Sequence, residues 1–202
     1  MVKFNVSNVN CFPQLWMYWT LLLMNSLLRS LKISMNKLEG KLPRSLANCA
    51  KLEVLVLQAN RFYGTIQVCE SENAFPMLRI LDLASNNFSG ELSANFLQCL
   101  RAMMMITNEN MATPKYIGEL YYQDSVTIVN KGLVMVLKNI FIGFTCLDLS
   151  NNSFHGRIPE EIQNLTSLIV LNLSRNSFFG QIPLALKNLN EVESLDLSQN
   201  KL

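Results

Sequence analysis

The sequence predicts an α/β-type repeat solenoid: a right-handed coil with a parallel β-sheet on its concave face, mostly loop and 3-10 turns on its convex face, and one island insertion. Three observations predict it. Asn36, Asn60, Asn86, Asn152, Asn176 and Asn200 each follow an apolar ladder and stand two positions before an aromatic residue or Leu. Their intervals are 24, 26, 66, 24 and 24 residues, so one period recurs and is interrupted once. A glycine returns four residues after the asparagine, at Gly40, Gly64, Gly90, Gly156 and Gly180. A fixed period in the low twenties marks stacked units, none of which can bury its apolar face alone.

The copies follow one another along the chain. Leu28, Leu31, Ile33, Asn36, Leu38, Gly40, Leu42 and Pro43 form the first clear one. Leu52, Leu55, Leu57, Asn60, Phe62, Gly64 and Ile66 form the second, and Leu78, Leu81, Leu83, Asn86, Phe88, Gly90 and Leu92 the third. After the gap come Phe144, Leu147, Leu149, Asn152, Phe154, Gly156, Ile158 and Pro159, then the copy built on Leu168, Leu171, Leu173 and Asn176. Val192, Leu195, Leu197, Asn200 and Leu202 begin a last one, cut off halfway. The chain thus divides into an apolar N-terminal segment (1–27), a first repeat block (28–100), the island (101–143) and a second, truncated block (144–202).

Each repeated residue has a physical task. The x-Leu-x-Leu-x stretch alternates inside and outside as a half-buried strand must. The Asn amide, with two donors and an acceptor, can serve backbone groups that the bend after the strand leaves unpaired. Gly permits a backbone that a Cβ resists. The Ile-Pro or Leu-Pro step closes the back of the coil in an extended conformation. Gln67 and Ser93 stand where this Pro is expected.

Composition excludes several function classes. Net charge is +2, with no basic stripe, which argues against nucleic acid as a partner. Charged residues are 16% and apolar ones 50%, so the chain is not a disordered tail. The five cysteines (Cys11, Cys49, Cys69, Cys99, Cys146) form no CxxC, and His155 is the single histidine, so neither a zinc site nor any cofactor is expected. An odd count leaves at least one free thiol, Cys49 reads as a small buried apolar residue, and no cysteine pair caps either end. No phosphate-binding Gly loop, kinase lysine or catalytic loop occurs, so the chain is read as a non-enzyme.

The pairing of Leu-Asp-Leu-Ser-x-Asn with Gly-x-Ile-Pro-xx-Leu resembles the plant-specific class of leucine-rich repeats. Leu38–Cys49, Asn60–Gly64 and above all Tyr121-Tyr-Gln-Asp-Ser-Val, running through Gly132 into Phe144–Ser150, are similar to the ectodomain of plant leucine-rich-repeat receptor-like proteins. That resemblance covers roughly residues 28–202. It implies cell-surface signalling in immunity or development, on the extracellular side of the plasma membrane. It further implies an extracellular peptide or protein ligand, a co-receptor kinase of the leucine-rich-repeat type, and membrane association for the full-length form. The ladder stops in mid-repeat at Leu202 and no C-terminal apolar span follows, so an ectodomain fragment is expected. Two alternatives stay open: a soluble repeat inhibitor of a secreted hydrolase, against which the island argues, and a non-functional truncated receptor remnant. As the whole product, the chain would be secreted or mislocalised.

The island reads as a polar, Pro-containing loop followed by a hairpin, with Asp124–Val129 and Leu133–Leu137 flanking the turn Asn130-Lys-Gly132. Long insertions on a regular scaffold are where recognition concentrates. Tyr116, Tyr121, Tyr122 and Lys131 are the contact candidates there, set against a role of pinning the island to the coil. Met103–Met105 read as soft filler beneath it. On the inner face, two columns are expected to meet solvent: Lys32, Val56, Asp82, Asp148, Asn172 and Asp196, and Ser34, Gln58, Ala84, Ser150, Ser174 and Ser198. Asp148, Asn172, Asp196 and Ser198 are the binding candidates among them, although Asp and Ser are also common filler in this repeat class. Five sequons occur, at Asn5, Asn87, Asn151, Asn164 and Asn172; the last four are candidates for glycosylation. Finally, the apolar run from Cys11 to Leu28 admits three readings: a signal anchor, a signal peptide, or a degenerate repeat packed over the open end of the coil.

Overall fold

A computed structural model of the chain describes residues 2–5, 28–67, 74–105, 116–117, 125–130 and 133–202. Strands β1 (Val2–Asn5), β2 (Leu28–Lys32), β4 (Val54–Val56), β6 (Ile80–Asp82), β10 (Cys146–Asp148), β12 (Val170–Asn172) and β14 (Ser194–Asp196) form one parallel sheet in that order. A second parallel sheet runs β13 (Ser177–Phe178), β11 (Ser153–Gly156), β7 (Asn87–Glu91), β5 (Arg61–Gly64) and β3 (Glu39–Gly40). The remaining pair, β8 (Ser125–Asn130) and β9 (Leu133–Lys138), is an antiparallel hairpin inside the insertion. Each turn of the coil contributes one strand to the main sheet because x-Leu-x-Leu-x sends its leucines inward and its intervening residues outward.

The core is one apolar column between the turns. Leu31, Leu55, Leu81, Leu147 and Leu171 are buried in it, with Ile33, Leu57, Leu83, Leu149 and Leu173 beside them. Each such side chain contributes roughly 1.5–3 kcal/mol on burial. Phe62, Phe88, Phe154 and Phe178 make a spine of parallel rings, with successive centroids 6.2, 6.3 and 6.3 Å apart. Direct stacking of Phe88 on Phe154 shows that the coil closes across the insertion without losing register. The pairing Leu81↔Leu147 in the sheet says the same.

The asparagines knit consecutive turns together. Asn152 donates through Nδ2 to the carbonyls of Leu83, Leu149 and Ser150 at 3.0–3.2 Å, and its Oδ1 accepts from Phe88 N–H at 3.0 Å. Asn60, Asn86, Asn176 and Asn200 make the same bonds to their own and the preceding turn. The residue before each asparagine carries a left-handed backbone: φ is 55° at Met35, 56° at Ala59, 55° at Ser85, 52° at Asn151, 54° at Arg175 and 56° at Gln199. The repeat glycine is needed for two reasons at Gly90, where φ is +90° and a Cβ would lie 2.5 Å from Thr65 Cγ2.

On the convex side, 3-10 helices at Arg44–Asn48, Glu160–Asn164 and Leu184–Asn188 each follow a proline: Pro43, Pro159 and Pro183. Ser93, in the place of that proline, instead accepts a hydrogen bond from Phe96 N–H at 3.2 Å and caps a short helix, α1 (Ala94–Cys99). The methionines correct an expectation. Met103 is fully buried in the coil's own core, Met104 packs against that core, and Met105 is exposed. The Ala102, Met103 and Met104 carbonyls accept from Ser167 and Thr166 of the next turn, so this stretch is coil rather than filler beneath the island.

At the N-terminal edge, β1 pairs in parallel with β2, Phe4 opposite Leu31, and adds one strand to the sheet. The apolar run expected at 11–28 lies outside the described residues up to Leu28. Among the described residues no helix is long and apolar enough to cross a membrane.

Candidate recognition surface

The outer positions of the main sheet form the concave face. In register across it stand Lys32, Val56, Asp82, Asp148, Asn172 and Asp196. Next to that column stand Ser30, Val54, Ile80, Cys146, Val170 and Ser194. The island lies on these columns. Val54, Val56, Ile80, Cys146 and Val170 form a second apolar cluster with Ile117, Val126, Ile128 and Ile140 of the insertion. Along β8 the burial alternates, with Ser125 and Thr127 exposed and Val126 and Ile128 buried, so one face of the hairpin is pressed to the sheet. Lys32 Nζ donates to the Ser125 carbonyl and ties the start of the hairpin to the first repeat.

This docking corrects the expectation that the inner columns meet solvent. Asp82 is 2% exposed, Asp148 4% and Asn172 7%. Lys32 and Asp196 in this column are half-buried; in the second column expected to meet solvent, Ala84 and Ser174 are buried, Ser34, Gln58 and Ser150 half-buried and Ser198 exposed. The polar column also carries a structural duty. Asp82 Oδ1 accepts from Ala84 N–H at 3.0 Å, Asp148 Oδ1 from Ser150 at 2.9 Å, Asn172 Oδ1 from Ser174 at 3.1 Å and Asp196 Oδ1 from Ser198 at 2.9 Å. Each side chain thus turns back onto the N–H two residues ahead. Asn172 Nδ2 also donates to Asp148 Oδ2 at 3.2 Å.

The carboxyls respond to their cover. Burial, and then the charge of Asp148, push Asp82 up to about 8, against a smaller downward pull from the Ala84 N–H. Burial likewise raises Asp148, in spite of hydrogen bonds from Ser150 and Asn172, and the charge of Asp196 adds to it. At Asp196 the slight desolvation is outweighed by Ser198, Ser174 and Arg175, which hold it below the ordinary carboxylate value. Burial foremost, then the two aspartates, raise the Cys146 thiol.

The expected contact residues divide. Tyr116 is 47% exposed and pairs antiparallel with exposed Phe141, while its neighbour Ile117 is buried and donates its N–H to the Ile140 carbonyl at 2.8 Å. Tyr121, Tyr122 and Lys131 lie outside the described residues. Of the glycan candidates, Asn87, Asn151 and Asn164 are exposed. Asn172 sits in a covered strand with both amide atoms bonded, and this arrangement has no place for a glycan. Sequence reasoning misses Met135 and Val136, exposed on β9: Val136 pairs with exposed Thr127 and lies with it on the hairpin's outer side, whereas Met135 pairs with Ile128 on the side turned to the sheet. The β-forming, apolar run Leu133–Leu137 is the available signal for them. Among the described residues no cluster of His, Cys, Asp and Glu is arranged to hold a metal ion.

A coil of this period with an asparagine ladder and a parallel inner sheet is a leucine-rich-repeat solenoid, and the leucine-rich-repeat family pattern matches residues 27–49, 77–99, 143–165 and 167–189. The chain is 44% identical over 169 residues to receptor-like protein 35 of Arabidopsis thaliana and 41% identical over 171 residues to receptor-like protein 53 of the same plant. These alignments cover 71% and 72% of the chain and 18% of each relative. Among solved structures, the plant peptide hormone receptor RGFR1 in complex with RGF2 superimposes with a TM-score of 0.61 at 25% identity, over 86% of this chain and 21% of that one. The chain is a homologue of the plant leucine-rich-repeat receptor-like proteins, and spans under a fifth of the length of these two relatives.

Proposed function

We propose that the chain is the ligand-recognition part of a receptor-like protein on the extracellular side of the plasma membrane, recognising a peptide or protein and signalling through a partner kinase. The observation that carries this reading is the identity to receptor-like proteins over most of the chain. RGFR1, with the same coil, is a receptor for a peptide hormone. In this chain the inner face between Val54 and Val170 is taken by the island. The recognition surface is therefore the exposed apolar part of the island, around Tyr116, Val136 and Phe141, together with Asp196 and Ser198 of the sheet. Tyr121, Tyr122 and Lys131 belong to the same insertion and are assigned to the same surface. Glycosylation at Asn87, Asn151 and Asn164 fits an extracellular location, and the cellular role we assign is cell-surface signalling in immunity, with defence response as the output, or in development. The chain acts by binding, without catalysis.

The test is association in plant tissue. The chain, directed to the cell surface, is purified with and without residues 106–143 replaced by a Gly/Ser linker. Recovery of a leucine-rich-repeat kinase with the intact chain and its loss with the linker form supports the reading. No kinase with either form, or equal recovery with both, overturns it.

A further inference from the structure

Two carboxyls beneath the docked island have no part in the recognition surface. Asp82 and Asp148 face each other across neighbouring strands of the main sheet, in register, on its outer side. An outer position of a solenoid sheet meets water unless something lies over it. The same column shows the difference: Asp196, two strands beyond Asp148, is half-buried and its carboxyl stays below its ordinary value. The apolar cluster joining Val56, Ile80 and Cys146 to Val126, Ile128, Ile117 and Ile140 borders the pair, so the island is the cover.

Among the described residues, no positively charged side chain acts on the pair. On the sheet the groups around it are the Cys146 thiol, Asn172 and Asp196. Among the described residues of the island, the buried ones are Val126, Ile128, Ile117 and Ile140, all without charge. Lys32 in the same column sends its ammonium to the Ser125 carbonyl. The hydrogen bonds that hold the two carboxyls come from Ala84, Ser150 and Asn172, which are neutral donors. Two adjacent carboxylates under an apolar cover are strongly unfavourable, and the remedy in such pairs is to keep a proton.

We infer that the island is held on the inner face by a proton-linked latch, in which the Asp82–Asp148 pair must retain a proton for the hairpin to stay down, so that raising the pH lifts the island. The sheet needs no change when this happens; only the cover leaves. With the island lifted both carboxyls meet water and titrate near the ordinary value of about 4. With it docked their affinity for protons is raised, Asp82 to about 8. Docking is therefore fully favoured below about pH 4 and weakens progressively as the pH rises to about 8, beyond which the loss is complete. Lifting would expose Cys146, Val54, Ile80 and Val170, the stretch of inner face that a ligand could then reach.

The experiment is hydrogen exchange of the full chain at about pH 5 and about pH 8, corrected for the intrinsic pH dependence of exchange. A two-stranded hairpin is marginal by itself, so the amides of Ser125–Asn130 and Leu133–Lys138 report docking. Protection of these amides falls at least about tenfold from the lower to the higher pH, while coil strands such as Val170–Asn172 keep theirs. In D82N/D148N the hairpin is protected equally at both values. Asn is suited to this column, since Asn172 already makes the same bond to the N–H two residues on. E160Q, at an exposed position of the convex-side 3-10 helix Glu160–Asn164, behaves as the natural chain. Should the double variant lose coil protection, D82N alone gives the same reading. Equal hairpin protection of the natural chain at both pH values overturns the latch, as does an undiminished pH dependence in the Asp→Asn variants. Either result leaves the receptor reading untouched, because kinase association is measured separately.

Discussion

Replacing Asn152 by Ala removes the residue that clamps the two repeat blocks together beneath the insertion. Its amide reaches the Leu83 carbonyl of the preceding turn at 3.0 Å, and the Leu149 and Ser150 carbonyls of its own at 3.2 and 3.0 Å. Its oxygen takes the Phe88 N–H at 3.0 Å. Truncation strands the Phe88 N–H and takes one donor from each of three carbonyls, which keep Asn86 Nδ2 (Leu83), Asn176 Nδ2 (Leu149) and the Ser85 N–H (Ser150). A stranded backbone group costs about 1–3 kcal/mol when fully buried. Water can reach part of this bend, and a carbonyl is less demanding than an N–H, so the sum is set at about 2–4 kcal/mol. Urea denaturation followed by circular dichroism is the assay. With a slope of about 2 kcal/mol per molar, the midpoint falls by about 1–2 M. Asn152→Asp falls at least as far, since it retains the acceptor for Phe88 but sets a carboxylate against three carbonyl oxygens. Asn190→Ala, on an exposed residue outside the ladder, serves as the control and shifts little. A loss below about 0.5 kcal/mol for Asn152→Ala, within the range of ordinary surface changes, would refute the clamp.

Three further outcomes are expected. Phe154→Ala opens a gap between the rings of Phe88 and Phe178, 6.3 Å away on either side, and lowers stability by about 3–5 kcal/mol in the same denaturation assay. Met35→Asn relieves a left-handed backbone at an exposed position where the equivalent residue of a later repeat is already Asn151; thermal unfolding should show a gain of about 0.5–1 kcal/mol, and a loss would contradict the strain argument. Mass spectrometry of the secreted chain finds glycans among Asn87, Asn151 and Asn164 and none at Asn172, whose amide is bonded under the island. A glycan at Asn172 would mean that the island is not docked in that material.

Much of the coil can be read from the sequence because its determinants are local and repeated. The spacing of Leu171, Leu173, Asn176 and Phe178 states a strand, a bend and a ring in one stretch, and its copies state the stacking. The hairpin is legible from two β-forming runs about Asn130-Lys-Gly132. What escapes depends on contacts between distant parts of the chain. An alternating strand tells which residues leave the coil, but not what then covers them, so sequence alone leaves Asp148 and Asn172 open to water. The broken ladder around Met103 points to the island, yet the Met103 carbonyl is bonded to Ser167 of the turn beyond the insertion. The left-handed position before each asparagine is invisible because Met, Ala, Ser, Asn, Arg and Gln share no chemistry there. Ser93 is the opposite case: the missing proline shows in the sequence, and its consequence, a capped helix, follows from the hydroxyl.

The stacking of Phe88 on Phe154, with Asn152 reaching back to Leu83, makes the insertion topologically dispensable to the scaffold. The two ends of the excursion leave and rejoin at a seam that is already closed. For a flexible loop, each doubling of length costs only about 0.6 kcal/mol in closure entropy. The coil thus acts as a socket whose grip is independent of what is plugged into it. New island sequences can be tried on this seam while the surrounding repeats keep the same pitch, and the burden of compatibility falls on the few apolar residues that meet Ile80 and Val170.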